Sequence, residues 1–579
     1  MYNKDQIVIL KFGSSVLRDE RDLPRAVHEI YRWWREGFQV VAVVSAFADT
    51  TDQLLRRAES ISAEPERSSL ATLLATGEAA SSALLGLALG RTGIPARVLD
   101  PVQAGLRTVG ANLEADLVSA DCVRLGAELR RGIVVVPGFV GRSESGDTTL
   151  LGRGGSDLSA LFLAQRLDAQ CVLVKDVDGL YTSDPALTTV HASRFAAVSY
   201  ETAARLGGQV VQRKAVRFAQ THRLRFVLTS FGADARTEVG PFADRLDTAQ
   251  TAGEPLRVAL LGCGIVGGGV YERLSSLPEL FTVTGVGTRT GDRGRAVGVP
   301  DHLLTSDLET LVNQSCDVVI ELIGGTRRAA ALIESALRRG RNVVSGNKAL
   351  LAAHGQELEL LAADHGARLC YSAAVGGVLP ALETLKRAKA VGPLRGFSGV
   401  LNGTCNFILD RLAAGETMAG AVSAAQAAGL AEAHPKFDLS GIDAAQKLVL
   451  LARAAFGGDL RLESVPCEGI TDLNAEKLQR AREQGQIIRL VAECHLTPYG
   501  PKGSVAPVAL PFDHPLADVT GADNRLVVEP EVGGPAWIVS GRGAGRWPTA
   551  EAVMADLFDL RRKAQAAAVE SEDREECVA

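Results

Sequence analysis

No two cysteines in this sequence stand in a CxxC pair, although there are nine of them. They are scattered from Cys122 to Cys577, and the nine histidines are equally dispersed, so neither set has the ligand spacing of a structural zinc site or a redox pair. Ordinary thiols of a reducing cytosol are expected. A surplus of positive charge is missing as well: 62 Lys and Arg stand against 68 Asp and Glu, for a net charge of −6. A nucleic-acid binder needs a basic face, so that class is excluded. No run approaches the roughly 18–20 uninterrupted apolar residues that span a bilayer. The first residues, Met1 to Gln6, lack the zones of a signal peptide. The expectation is a cytoplasmic protein with no membrane partner. The phosphate-loop pattern GxxxxGK[ST] is also absent.

What is present is globular: 46% hydrophobic and 22% charged, with 60 Gly and 22 Pro in 579 residues. One core usually takes about 100–200 residues, so several domains are required. Short apolar runs alternate with helical patterns, which predicts an α/β architecture. Gln6–Phe12, Gln39–Ser45, Ile133–Val136, Cys171–Lys175 and Arg225–Thr229 read as the strands of the first half. Residues 22–36, 69–89 and 157–166 read as helices. The stretch 232–256 carries Gly, Pro, Asp and Thr without an apolar period and reads as a linker. The domain expectation is 1–235, a linker 236–255, 256–375, 376–530, a returning segment 531–565 and a frayed tail 566–579.

A new fold opens at Leu256 with an apolar strand running into Gly262-Cys-Gly264-Ile265-Val266-Gly267. In GxGxxG the first glycine makes the tight turn, the second lets backbone approach a pyrophosphate, and the third lets the helix pack on the strand. The helix N-terminus then faces the phosphates. An NAD site wants a carboxylate at the end of the next strand, but this one ends Gly287-Thr-Arg289-Thr. Arg289 can pair with a 2′-phosphate, which favours NADP(H) over NAD(H). Asp443 and Lys447 are four residues apart and share one helix face; alone, they would read as a surface ion pair.

From Asp317 onward the residues resemble homoserine dehydrogenase. The resemblance rests on Asp317–Gly325, Ser345-Gly-Asn-Lys348, Ala374-Val-Gly-Gly377, Val400-Leu-Asn-Gly-Thr404, Ala428–Pro435, Asp438–Lys447 and Gly541–Ala550. It implies a Rossmann domain followed by an α+β catalytic and dimerisation domain, interconverting L-aspartate 4-semialdehyde and L-homoserine. It makes Lys348 and Lys447 the acid/base candidates. Glu432 and Asp443 are assigned to the substrate amino group or a bridging water, and Asp438 and Thr404 to substrate. Gly325, Lys348, Gly543 and Gly545 are assigned to the cofactor. Ser372 stands where the family commonly has Glu, Val378 where it has Gly, and His434 where it often has Asp. Only backbone carbonyls near Val375 and Gly377 then remain for a weak monovalent-cation loop.

Residues 6–230 resemble aspartate kinase through Leu10–Val16, Val43–Asp52, Ala75–Glu78, Pro137–Gly141, Thr148–Asp157 and Lys175–Pro185. The resemblance implies an amino-acid-kinase-like three-layer fold that phosphorylates L-aspartate with ATP and Mg²⁺. Lys11 would neutralise the transferring phosphoryl group and Asp157 would organise the lysine or the glycine loop. Ser45, Glu78, Arg153 and Ser156 would bind aspartate; Lys11, Gly13, Asp176, Asp178, Tyr181 and Asp184 would bind ATP. Two cations of the family pattern are replaced, by Ala186 and Gln209. Arg213 and Lys214 lie one turn on and are the candidates to substitute. The alternative is a dehydrogenase whose kinase-like half serves ligand binding, regulation or assembly. The family's paired ACT regulatory domains are not expected: about 25 residues separate the kinase part from the dinucleotide fold, which leaves no room for them. Both families imply a homodimer or a larger homo-oligomer.

Overall fold

The computed structural model describes residues 6–185, 192–208, 210–247, 254–432, 434–458 and 460–576, with side chains through residue 565. Ala186 and Gln209 lie outside the described residues, as do the side chains of the expected tail 566–579. The chain divides into two compact units, Met1–Ala252 and Gly253–Ala579.

The first unit is built on a nine-stranded sheet whose centre runs Phe226–Ser230, Gln170–Lys175, Ile7–Phe12, Gln39–Val44 and Ile133–Pro137, all parallel. These strands are almost continuously apolar because helices cover both faces. Lys11, Ser45 and Lys175 therefore come to one edge, at the strands' C-terminal ends. The Arg67–Thr92 helix passes a length-and-composition test for a membrane span. Here it is a core helix against Ile133–Pro137 and Thr148–Leu150, with Leu70, Leu74, Leu85 and Leu89 buried. Glu66 caps its start by accepting from the Ser68 and Ser69 N–H groups. A second sheet, Glu114–Ser119, Arg107–Ala111, Val140–Arg142 and Thr148–Leu150, adds strands absent from the sequence reading.

The linker expectation for 236–255 is corrected. Arg236–Gly240 is a strand, antiparallel to Phe226–Ser230 and parallel to Phe195–Ser199, and Arg245–Leu246 extends the same sheet. Thr237 and Val239 point inward while Arg236 is exposed; five residues with two inward positions are too short a pattern to read from sequence. The Thr237 hydroxyl donates to Phe195 O (2.6 Å) and accepts from the Leu180 N–H (2.9 Å).

The second unit holds a six-stranded parallel sheet with Leu256–Leu261 and Val318–Glu321 at its centre, and a five-stranded antiparallel sheet. The antiparallel sheet contains Leu394–Val400, the Gln486–Thr497/Gly500–Pro511 hairpin, Asp523–Pro530 and Trp537–Arg542. The 531–565 segment thus serves both sheets. Its strand closes the antiparallel one, and helix Arg546–Glu576 sends Val553, Leu557 and Phe558 into the core of the parallel one.

Thr237→Val is expected to lower the stability of the first unit by about 1–3 kcal/mol, because two buried backbone groups lose their partner. Denaturant unfolding checks this.

Candidate active sites

In the second unit the turn after Leu256–Leu261 is shaped by its glycines. Gly262 has φ +104° and its Cα faces Leu322 O, where a Cβ would come within 2.6 Å. A Cβ on Gly267 would sit 1.9 Å from Gly262 O, so only glycine lets the helix seat against the turn. Nothing lies within 4 Å of a Cβ position on Gly264, which leaves the open cradle a pyrophosphate needs. Ile265 is exposed at its mouth, Val266 packs beside the sheet core, and Arg289 is exposed at the end of Phe281–Gly287. The residues present fit a bound dinucleotide.

The neighbouring loops are held by a carboxylate that sequence reasoning missed. Glu321, wholly buried at the end of Val318–Glu321, accepts from Ser345 Oγ (2.7 Å), the Ile323 N–H (3.0 Å) and Asn347 Nδ2 (3.4 Å). Burial raises its proton affinity. Asn347 Nδ2 donates to Gly325 O (2.6 Å), and its Oδ1 caps the helix that begins at Lys348. The glycine loop and Lys348 are thereby fixed together.

Lys348 Nζ reaches Asp443 Oδ1 at 3.0 Å, and Lys447 Nζ reaches Asp443 Oδ2 at 3.0 Å. The sequence-level alternative of a surface pair fails, since Asp443 and Lys447 are buried on helix Ile442–Phe456. Burial alone would push the Asp443 carboxyl up, but Lys447 and Lys348 outweigh it and hold the carboxyl well below the usual range. Asp443 in turn raises Lys348 above the ordinary lysine value, against partial desolvation. The Lys348 side chain is 40% exposed, whereas Lys447 is closed in and donates also to Leu401 O (2.7 Å). Lys348 is thus the more accessible of the two lysines.

Two asparagines complete this constellation. Asn402 Nδ2 donates to Asp438 Oδ1 (2.7 Å) and Asp443 Oδ2 (2.9 Å), while its Oδ1 accepts from the Cys405 N–H. Its place three residues before Cys405 reads as a helix cap in sequence, which hid the second role. Asn524 donates to Leu401 O (2.9 Å) and fills the space a Cβ on Gly543 would take. Burial raises the Asp438 carboxyl. Glu432 is exposed and adds negative field at Lys348. The Thr404 hydroxyl donates to Leu430 O (2.8 Å), tying its helix to the Glu432 turn.

Around the cation-loop candidates, Val375 is buried and Gly377 (φ +53°) lies against Arg542 O and Gly543. Ser372 donates its hydroxyl within reach of Asp556 Oδ1 (2.9 Å) and Glu383 Oε1 (3.0 Å). Gly545, at φ +121°, starts the turn into the last helix.

In the first unit Lys11 Nζ lies 2.7 Å from Asp157 Oδ1, and Lys175 Nζ lies 2.9 Å from Asp157 Oδ2. Burial opposes ionisation of Asp157, but Lys11 and Lys175 together keep its carboxyl low. Gly13 leaves room for the lysine, since a Cβ there would be 2.6 Å from Lys11 Nζ. Ser156 packs on Gly138, and Arg153 is exposed on the glycine loop. Phe139 is held at φ +67°, a strained conformation costing roughly 1–3 kcal/mol that nothing in the sequence announces. Lys214 Nζ donates to Leu151 O (3.1 Å) and so sits on the glycine loop.

Glu78 is buried beside the Ser45–Ala46 turn. Its Oε1 accepts from the Ala46 N–H (3.3 Å), and its Oε2 has no partner among the described residues. Burial pushes its carboxyl up to about 7. Ser81 Oγ ties the same helix to Ser45 O (2.7 Å). Of the expected ATP residues, Asp178 takes hydrogen bonds from Tyr181 Oη (2.6 Å) and Arg194 (3.3 Å). Asp176 and Asp184 are exposed on the same loop.

Comparison with known proteins finds matches in both units. Residues 380–558 match the family model for homoserine dehydrogenase, 262–372 that for the homoserine dehydrogenase NAD binding domain, and 6–230 that for the amino acid kinase family. A homoserine dehydrogenase of Synechocystis sp. is 37% identical over 321 residues, 53% of this chain and 73% of that one. One from Corynebacterium glutamicum is 36% identical over 325 residues, 54% of this chain and 73% of that one. The crystal structure of a homoserine dehydrogenase from Thiobacillus denitrificans covers 54% of this chain and 74% of its own, at 35% identity and a TM-score of 0.51.

Gly267→Ala is expected to force the turn apart and weaken dinucleotide binding at least about tenfold, the scale of 1.4 kcal/mol. Fluorescence titration with NADPH and NADH checks it.

Proposed function

The chain belongs to the homoserine dehydrogenase family, and on that premise we propose a bifunctional enzyme. Its second unit interconverts L-aspartate 4-semialdehyde and L-homoserine with NADP(H), and its first unit phosphorylates L-aspartate with ATP and Mg²⁺. The carrying observation is Asp443 held between Lys348 and Lys447, in a unit that also carries the glycine turn. The dinucleotide supplies the hydride in one direction and takes it up in the other. Lys348, kept as an ammonium by Asp443, donates a proton to the alkoxide that forms as the aldehyde is reduced. Lys447 and Asn402 hold Asp443 at the position that does this. Asp438 and Glu432 lie where they can accept the substrate's ammonium group. The exposed Arg289 and the missing carboxylate favour NADP(H). A homo-oligomer fits the Leu496, Tyr499 and Phe512 side chains left exposed on and next to the long hairpin.

Support for the kinase reading comes from Glu78. A buried carboxylate with one oxygen unpartnered fits an absent cation, and the ammonium group of aspartate is that cation. Lys11 lies where it can balance charge on the transferring phosphoryl group.

Lys348→Ala is expected to lower homoserine oxidation by about 10²–10⁴-fold. Oxidation needs Lys348 as the neutral base, so kcat/KM rises with pH. Asp443→Asn removes the charge that raises Lys348 and moves that rise to lower pH; a pH–rate profile unchanged by Asp443→Asn counts against the assignment.

For the first unit, aspartyl hydroxamate should form from ATP, Mg²⁺, L-aspartate and hydroxylamine, and should vanish in Lys11→Ala. Below about pH 7 free Glu78 is protonated and must lose its proton to bind an ammonium group. KM for aspartate therefore rises as pH falls through that value, and the Glu78→Gln variant loses the dependence. Hydroxamate that survives in Lys11→Ala, or is missing from the wild type, counts against the kinase reading.

A further inference from the structure

The first unit contains one lysine more than its buried carboxylate needs. Lys11 pairs in register with Leu173 of the adjacent parallel strand, so Lys175, two residues on, emerges on the same face. Both ammonium groups converge on Asp157: Lys11 at 2.7 Å, and Lys175 at 2.9 and 3.1 Å from its two oxygens. Lys11 and Lys175 are each 6% exposed and Asp157 is 4% exposed. No other carboxylate is hydrogen-bonded to either lysine among the described residues. Two positive charges against one negative leave a surplus of one, withdrawn from water.

Lys11 alone would neutralise Asp157, so a purely structural account leaves Lys175 without a purpose and its desolvation uncompensated. Burial first, then repulsion by Lys11, lowers the proton affinity of Lys175 to about 8, against support from Asp157 and the neighbouring Asp176. An anion arriving between the lysines would remove that penalty. The surroundings suit one: the cluster lies at the C-terminal ends of parallel strands, at the start of helix Gly155–Leu167, under a glycine loop that Lys214 holds.

We propose that Lys175 is a second catalytic lysine of the kinase reaction, and that Asp157 positions Lys11 and Lys175 on the phosphoryl group in transit. The proposal rests on the kinase reading above. An oxygen of the ionised side-chain carboxylate of aspartate forms the new bond to the γ-phosphorus. The bond from that phosphorus to the β,γ-bridging oxygen breaks, and ADP leaves with the electron pair. No proton need move, so the task at this point is charge balance, which two ammonium groups perform better than one. Lys175 also supplies a cation to a chain that has Ala186 and Gln209 where the family pattern has charge.

The test uses the full-length protein. Lys175→Met should lower kcat for aspartyl hydroxamate at least a hundredfold, with KM for aspartate within threefold and homoserine oxidation unchanged. A kcat within threefold of wild type overturns the proposal. If thermal unfolding shows that Lys175→Met destroys the first unit, Lys175→Gln, which keeps a hydrogen bond to Asp157 without the charge, is read against the same limits. If the wild type forms no hydroxamate, the kinase reading has failed, and calorimetric titration with inorganic tripolyphosphate decides the remainder. Binding at least fivefold weaker in the variant keeps Lys175 as a phosphate contact; equal binding, or none to the wild type, overturns it.

Discussion

Each unit of this protein organises its chemistry around one buried carboxylate that two lysines share. Asp443 holds Lys348 and Lys447, and Asp157 holds Lys11 and Lys175. A lone carboxylate so enclosed would take up a proton; with two ammonium groups it stays ionised and fixes both of them in space. The two clusters differ in what surrounds them. At Asp443 a neutral asparagine, a second carboxylate and a backbone carbonyl divide the remaining contacts, and Lys348 faces the opening. At Asp157 both lysines are enclosed, and their excess charge is left for a ligand.

The backbone makes these clusters possible by bringing strand ends together. Parallel strands put their C-terminal ends on one edge, and glycine turns let helices begin close against them. The same logic gives Glu321 its place, where one carboxylate fastens two loops that arrive from different strands. The dehydrogenase site needs both sheets of the second unit, since Lys348 follows the parallel sheet and Asp443 stands on a helix packed against the antiparallel one.

Much of this was legible in the sequence wherever a local pattern carried it. The strand–GxGxxG–helix run could be read because its glycines answer steric demands within six residues. Lys348, Asp443 and Lys447 were reachable through motif order, and the four-residue spacing placed the last two on one face. Lys175 was hidden because a lysine closing the apolar run Gln170–Lys175 looks like an ordinary strand end; only the register against Ile7–Phe12 turns it toward Asp157. Asn402, Asn524 and Glu321 act through partners up to 123 residues away in the chain. Arg236–Gly240 escaped because a five-residue strand, although paired on both sides, has too little alternation to stand out from a linker. The strained Phe139 has no sequence signal, since its neighbours Gly155 and Leu151 come from a later stretch of the chain.

The last helix also sets an order of events on the ribosome. Leu256, Val258 and Leu260 meet Val553, Leu557 and Phe558 in a single cluster, so nearly three hundred residues must be synthesised between the two sides of that core. Until the second side emerges, the helix carrying Val270, Tyr271 and Leu274 covers that face of the parallel sheet only in part, and the remainder is open to wrong partners. The antiparallel sheet has the same delay, because its edge strand Trp537–Arg542 comes just before the helix. The first unit, whose sheet is finished by Leu246, needs none of this later chain for its own strands. Nascent chains should therefore carry a first unit with a finished sheet before the core of the second is closed.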